Sequence, residues 1–148
     1  MCSEAFVTDV PGTDHVSGAA PGRTDAGRPK FSFPPDWTEL VPELEQSPGD
    51  HLVTKQALGA FLGTDLDDTL RRRGATPVIL TGVATSIGVE STARSAYELG
   101  YNVALVVDAM TDRDADAHRH SIEKIFPRLG ETATTGEVLK LLQEAPVR

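Results

Sequence analysis

The feature that most constrains this chain is the passage at residues 77–101 from an apolar run into a segment of helical periodicity. Residues 77–80 are apolar without interruption, small residues follow at 81–85, and helical spacing begins near Gly88 and ends at Gly100. A strand that turns sharply into a helix exposes backbone N–H groups beside the positive end of the helix dipole. The pattern therefore predicts a buried strand, a turn suited to an active site, and a helix.

The same alternation of strands and helices continues on both sides of this turn. Short strands are predicted at residues 51–55 and 102–107, and helices at 64–73, at 114–126 and from Thr134 or Thr135 onward. Such an order forms a parallel sheet with right-handed crossovers, and an uninterrupted apolar strand is expected where helices cover both faces. We therefore predict a single domain over residues 1–148 with a Rossmann-like, three-layer α/β/α fold.

Residues 1–50 are predicted to be irregular, and residues 51–148 to hold the regular α/β core. Pro-Gly or Pro-Pro pairs occur four times in the first region, and such pairs favour turns and extended chain. Residues 5–10 are interpreted as a strand that precedes these pairs. So long an irregular segment is either functional or poorly ordered.

Composition excludes several classes of partner. The 148 residues carry a net charge of −8, which disfavours binding to nucleic acid or to an anionic membrane. No apolar run approaches the length that a membrane span needs. The one cysteine, Cys2, allows no internal disulfide, and this fits a reducing compartment. We therefore expect a cytoplasmic protein whose partner is a small-molecule substrate.

Short motifs in a fixed order resemble the isochorismatase-like hydrolases, also called cysteine hydrolases. The motifs are Val53-Thr54-Lys55, Gly59-Ala60-Phe61, Gly63-Thr64-Asp65-Leu66, Gly82-Val83-Ala84-Thr85, Glu90-Ser91-Thr92-Ala93-Arg94, Tyr97, Gly100-Tyr101, Asp108-Ala109 and His118. The resemblance is strong over residues 50–135 and weak over 5–50. It implies a hydrolase of small organic metabolites that forms homo-oligomers. It also implies an N-terminally shortened chain, because the family's first strand and helix have no counterpart.

The resemblance further implies an active site around Lys55 and the turn after residue 80. Lys55 matches the family lysine, and its ammonium group would stabilise negative charge that develops on the substrate. Val83-Ala84 matches a non-proline cis peptide of the family. The residues that would line the substrate or oxyanion site are Val83, Ala84, Thr85, Ile87 and Phe61.

Gly88 departs from the main family pattern, because it stands where most members carry the nucleophilic cysteine. A glycine offers no thiol, so acyl-enzyme chemistry is unavailable at this position. The true isochorismatases in the family also carry Ile-Gly here, as Ile87-Gly88 does, and they hydrolyse a vinyl ether with an acid and water. That acid is an aspartate on the first strand, which we do not find, and Asp9 is not interpreted as its equivalent.

Two alternatives to an active enzyme follow from the missing aspartate and cysteine. The chain is either a catalytically inactive member that binds a small ligand or serves as a structural subunit, or a shortened product whose open sheet edge hinders folding. For an active hydrolase, Asp108 is a substitute for the missing acid. A strand-end aspartate, however, more often accepts hydrogen bonds from loop backbone.

No metal and no cofactor are predicted. The family's metal-binding Asp-x-His reads Asp9-Val10-Pro11 here, and His118 and His120 are two residues apart and so do not share a helix face. The glycines form no phosphate-binding motif. We expect His118 to pack or cap, and Ser86 to serve the turn rather than act as a nucleophile.

Overall fold

The computed structural model describes residues 5–9, 36 and 38–144, and strands alternate with helices along them. The strands are β1 Ala5–Asp9, β2 His51–Lys55, β3 Pro77–Val83, β4 Asn102–Thr111 and β5 Glu131–Ala133. The α-helices are α1 Leu66–Arg72, α2 Glu90–Glu98, α3 Ala115–His120 and α4 Thr135–Glu144. Every strand pairing is parallel, so the prediction of a parallel α/β fold with flanking helices is confirmed. No helix in the described ranges is long and apolar enough to cross a membrane.

The described strands form two parallel sheets. One consists of β1 and β2, and their register places the backbone of Asp9 opposite Lys55. The other has the order β3-β4-β5. The prediction that β3 is buried on both faces is wrong. Val78 packs under α2, whereas Ile79 points to the opposite face and is 41% exposed. The prediction that the chain lacks the family's first strand and helix stays a prediction.

β4 is longer than the sequence predicts. The predicted end at residue 107 is wrong, because the strand continues to Thr111. The register of its pairing with β3 shifts within the strand: Leu80 lies opposite Leu105, whereas Gly82 lies opposite Met110. The irregularity lets a charged residue lie within the strand without ending it. Asp112, rather than Asp108, therefore directly follows the strand.

The helices begin close to their predicted positions. The Thr64 hydroxyl accepts a hydrogen bond from the Leu66 N–H at 3.3 Å, and Gly74 follows the end of α1 with a left-handed φ of 65°. Asp114 caps α3 by accepting from the N–H groups of Asp116 and Ala117. The Thr134 hydroxyl and the Glu137 side chain form a reciprocal capping box at the start of α4.

The helix after β3 begins earlier than predicted. Its first turn, Thr85–Val89, has the wider π geometry and continues directly into α2. The predicted start at Gly88 is therefore three residues late. A π turn inside a helix is frequent at functional sites, and here it begins where β3 ends.

Among the residues that the structure describes, two hydrophobic clusters that share neighbours form the core. The larger contains Val78, Val89, Ala93, Ala96, Tyr101, Val103, Leu105, Met110 and Phe126. The smaller contains Val53, Ala60 and Leu66. Phe61 and Leu70 pack against both clusters, and the Phe61 ring stacks on Tyr101 with centroids 5.8 Å apart. The shared side chains join β2 and its loop to the sheet that carries β3.

Candidate active site

Lys55 ends β2 with its side chain on the buried face of the strand. Burial alternates along β2, so Lys55 lies on the same face as the buried Val53. The residue is only 9% exposed, and its Nζ donates a hydrogen bond to the Ala57 carbonyl at 3.0 Å. A buried ammonium group is costly unless it is compensated by hydrogen bonds or charge. The strand alternation therefore holds a cation inside the protein at the carboxyl end of β2.

The loop after Lys55 is locked to the start of α2. The Thr92 hydroxyl accepts a hydrogen bond from the Ala60 N–H at 3.1 Å and donates one to the Gly88 carbonyl at 2.7 Å. A side chain on Gly59 would lie 3.1 Å from the Ser91 carbonyl oxygen, so glycine permits this close approach. The bridge brings the loop after Lys55 and the turn at Gly88 into one region.

The turn after β3 contains a cis peptide bond between Val83 and Ala84, at the place where the resemblance puts one. Thr85, which follows, has no exposed surface, and its hydroxyl lies 2.8 Å from Nδ1 of His118. The structure therefore places the Thr85 side chain in an internal contact with α3, whereas the sequence analysis assigns it to the substrate site. His118 packs against the turn, as expected.

Ser86 is held by a carboxylate that the sequence analysis does not single out. Its N–H and its hydroxyl each donate to Oδ2 of Asp112 at 2.7 Å. The hydrogen bonds from the Ser86 backbone and hydroxyl lower the pKa of Asp112 from 3.8 to about 2. Ser86 thus serves the turn, and its N–H is directed at Asp112 instead of at a substrate oxygen.

Gly88 lies close to two backbone carbonyl groups. A Cβ atom built on it would lie 3.5 Å from the Val83 oxygen and 3.8 Å from the Leu58 oxygen, which are ordinary contact distances. Three apolar side chains around this point are largely exposed: Leu58 by 64%, Val83 by 74% and Ile87 by 50%. The turn therefore presents an apolar, accessible surface around the missing side chain.

A cavity of about 320 Å³ opens beside the same loop. Its lining comes from residues on both sides of Lys55 in the chain, namely Thr54, Gln56, Ala57, Leu62 and Gly63. This volume is at the lower end of the range for small-molecule pockets. Thr54 and Lys55 lie on opposite faces of β2, so the cavity opens on the face opposite the Lys55 side chain.

Two further residues named from the sequence make contacts within the protein. Phe61 belongs to the core, where it stacks on Tyr101. Asp108 accepts from the N–H and the hydroxyl of Thr135 at 2.7 and 2.9 Å, and these hydrogen bonds, the backbone one first, lower its pKa. Asp108 therefore caps α4, which is the backbone-capping role that the sequence analysis gives as the more frequent one. Within the described ranges, no three His, Cys, Asp or Glu side chains gather as a metal site would require.

Removing the Thr92 bridge tests the link between the loop and the turn. In Thr92→Val, the buried Ala60 N–H loses its acceptor, and we expect the free energy of unfolding to fall by roughly 1–3 kcal/mol. Urea denaturation measures the change. Ser95→Ala is the matched control, because Ser95 donates a similar hydrogen bond to Ser91 within the same helix. Equal losses in both variants would contradict a special role for the bridge.

Acid titration tests the contact between Ser86 and Asp112. Because folding lowers the pKa of this carboxyl from 3.8 to about 2, the stabilisation is present above about pH 4 and is lost as the pH falls towards 2. The difference in urea midpoint between the unchanged protein and Asp112→Asn is therefore expected to be largest near about pH 5 and to shrink towards about pH 2. Asp68→Asn, in exposed α1 surface, controls for the loss of one negative charge. A difference that stays constant with pH would contradict the assignment.

The fold and the site together define a parallel α/β protein with a candidate active site at the carboxyl ends of β2 and β3. An isochorismatase domain matches residues 5–137. The isochorismatase family protein YwoC of Bacillus subtilis is 50% identical over 108 residues. A solved isochorismatase family protein from Burkholderia thailandensis is 44% identical, with a TM-score of 0.83 over 95% of this chain and 74% of that one. This chain therefore belongs to the isochorismatase family.

The matches cover the relatives only in part. The aligned region is 73% of this chain and 57% of YwoC. The ureidoacrylate amidohydrolase RutB of Variovorax paradoxus is 41% identical over 81 residues, which are 54% of this chain and 32% of that protein. The chain thus spans less than two thirds of the length of these relatives.

Proposed function

We propose that this protein is a hydrolase that acts on a small organic metabolite without a cysteine nucleophile. The observation that carries the proposal is the Thr92 bridge, which holds the loop after Lys55 against the turn at Gly88. This bridge supports a single site that includes the buried Lys55 and the turn without a thiol. Ile87-Gly88 supports an assignment to the branch of the family in which water, rather than a thiol, attacks the substrate.

Lys55 is proposed to stabilise the negative charge that forms on the substrate. Charges interact more strongly in a site shielded from water than in solution, so one buried ammonium group has a large effect on a developing anion. The hydrogen bond to the Ala57 carbonyl holds its Nζ at the loop. The adjacent Leu58 and Leu62 are 64% and 75% exposed and offer apolar contacts to a bound metabolite.

Asp108, in β4, and Asp112, which follows that strand, have another role in this proposal. Asp108 and Asp112 both have a lowered pKa, caused by hydrogen bonds from Thr135 and Ser86 respectively. Groups that stay ionised at neutral pH are poor proton donors. We therefore assign both to holding backbone in place, not to proton transfer.

A substrate panel tests the proposal directly. The candidates are a vinyl ether of a small carboxylic acid, a ureido acid of the kind named for RutB, and a small amide, with release of keto acid or ammonia as the readout. We expect one class to be hydrolysed while intact-mass spectrometry finds the chain unmodified during turnover. Absence of hydrolysis across the panel, or a covalent adduct on the protein, would count against the proposal.

We also propose that the protein is a cytoplasmic homo-oligomer. The exposed leucines of α4 support this proposal, because Leu139, Leu141 and Leu142 leave apolar surface on one helix. Light scattering coupled to size-exclusion chromatography gives the oligomeric state. A monomer at all concentrations would contradict the proposal.

A further inference from the structure

Two aspartates of β4 and its end anchor the starts of two helices in the same way. Asp112 accepts from the N–H and the hydroxyl of Ser86, both at 2.7 Å. Asp108 accepts from the N–H and the hydroxyl of Thr135 at 2.7 and 2.9 Å. A carboxylate is stabilising at such a place, because a helix start has free N–H groups and positive partial charge. The two contacts differ in location: Thr135 begins α4, whereas Ser86 lies in the π turn Thr85–Val89 of the candidate active site.

A second contact holds the same turn from the same side. Thr85 precedes Ser86 and has no exposed surface, and its hydroxyl lies 2.8 Å from Nδ1 of His118 on α3. Asp112 is joined to the start of that helix, because its Oδ1 accepts from the N–H of Asp114 at 3.3 Å. Two consecutive residues of the turn are therefore fastened to the one segment that runs from the end of β4 into α3.

The turn is held at its other end by a different contact. The Gly88 carbonyl oxygen accepts from the Thr92 hydroxyl at 2.7 Å, and this hydroxyl also binds the loop after Lys55. The Thr92 bridge thus fixes the end of the turn, and Asp112 fixes its start. A shift of the start moves the turn relative to Lys55, and a misplacement of about 1 Å costs about a hundredfold in rate.

We propose that Asp112 is a positioning residue of the candidate active site, which holds the start of the turn through Ser86 and so sets the position of Gly88. The inference rests on the proposed hydrolase function. Asp112 acts through Ser86 and has this role without contact to the substrate. The carboxylate is suited to the role, because the hydrogen bonds from Ser86 lower its pKa to about 2. It is therefore ionised at neutral pH and accepts from both donors.

Asp112→Ala tests the inference, and Asp108→Ala is its matched control. Each substitution removes a carboxylate that accepts one N–H and one hydroxyl at the start of a helix, so we expect similar falls in melting temperature. With a panel substrate, we expect kcat of Asp112→Ala to fall about ten- to a hundredfold, while KM changes by less than about twofold. Asp108→Ala is expected to keep kcat within about twofold of the unchanged protein. Equal losses of kcat in the two variants, or full activity of Asp112→Ala, overturn the inference.

Amide hydrogen exchange measured by NMR gives a readout that does not depend on hydrolysis. Loss of the anchor loosens the turn, so we expect the amides of Ile87 and Gly88 to exchange about tenfold faster in Asp112→Ala than in the unchanged protein. In Asp108→Ala the same amides are expected to exchange at the unchanged rate. Unchanged exchange of both amides in Asp112→Ala overturns the inference. If the unchanged protein hydrolyses no panel substrate while exchange rises as expected, the proposed function fails and only the anchoring of the turn by Asp112 is supported.

Discussion

Lys55→Met is expected to lower kcat/KM for the panel substrate by about 10²- to 10³-fold, the effect of removing one group that stabilises developing charge. Methionine has a similar length and no charge, so it fills the space of the lysine stem. The fall is expected in kcat more than in KM, because the interaction strengthens as charge forms in the transition state. Steady-state kinetics on purified variants measure both constants.

Stability separates a chemical role of Lys55 from a structural one. Lys55→Met loses the hydrogen bond to the Ala57 carbonyl, which is worth about 1 kcal/mol, and it removes the desolvation cost of a buried cation. We therefore expect a small change in melting temperature. Lys140→Met, on the exposed part of α4, controls for the loss of one positive charge. Turnover of Lys55→Met within threefold of the unchanged protein would refute the proposed role.

The sequence predicts the elements of this site better than their contacts. Lys55 is buried because burial alternates along β2, and the helix after β3 agrees with its periodicity. The Thr92 bridge was missed. Thr92 is four residues after Gly88, and this spacing predicts a hydrogen bond back to the helix. The second partner, the Ala60 N–H, lies 32 residues away in the chain, and no local pattern reveals it.

The end of β4 illustrates why boundaries were harder to predict than elements. The sequence analysis ends the strand at residue 107, just before the charged Asp108. In the structure this carboxylate is compensated by the N–H and hydroxyl of Thr135, so the strand continues to Thr111. The same extension places Asp112 beside Ser86. Both contacts join residues more than 25 positions apart, and only tertiary structure brings them together.

Gly88→Cys is expected to create a thiol that reacts unusually fast. The contacts of a Cβ at this position are ordinary, so the side chain is accommodated. A thiol in the first turn of a helix has a lowered pKa, because the helix dipole stabilises the thiolate. In a Cys2→Ser background, where position 88 carries the one thiol, we expect alkylation by iodoacetamide near neutral pH about tenfold faster than for a free cysteine. Hydrolysis of the panel substrate is expected to fall, because the added side chain fills space at the turn of the proposed site.

Gly49→Cys in the same background is the reference, since position 49 is exposed and a Cβ there meets no atom within 4 Å. Equal alkylation rates at positions 49 and 88 would mean that the turn has no special electrostatic environment.

Adding Lys55→Met to Gly88→Cys separates the two sources of positive potential. If the Lys55 ammonium group acts at the turn, the thiol becomes less acidic and alkylation slows. If the helix start alone lowers the pKa of the thiol, the alkylation rate stays the same. Lys55 then has no electrostatic effect at position 88, even if Lys55→Met has lost hydrolase activity.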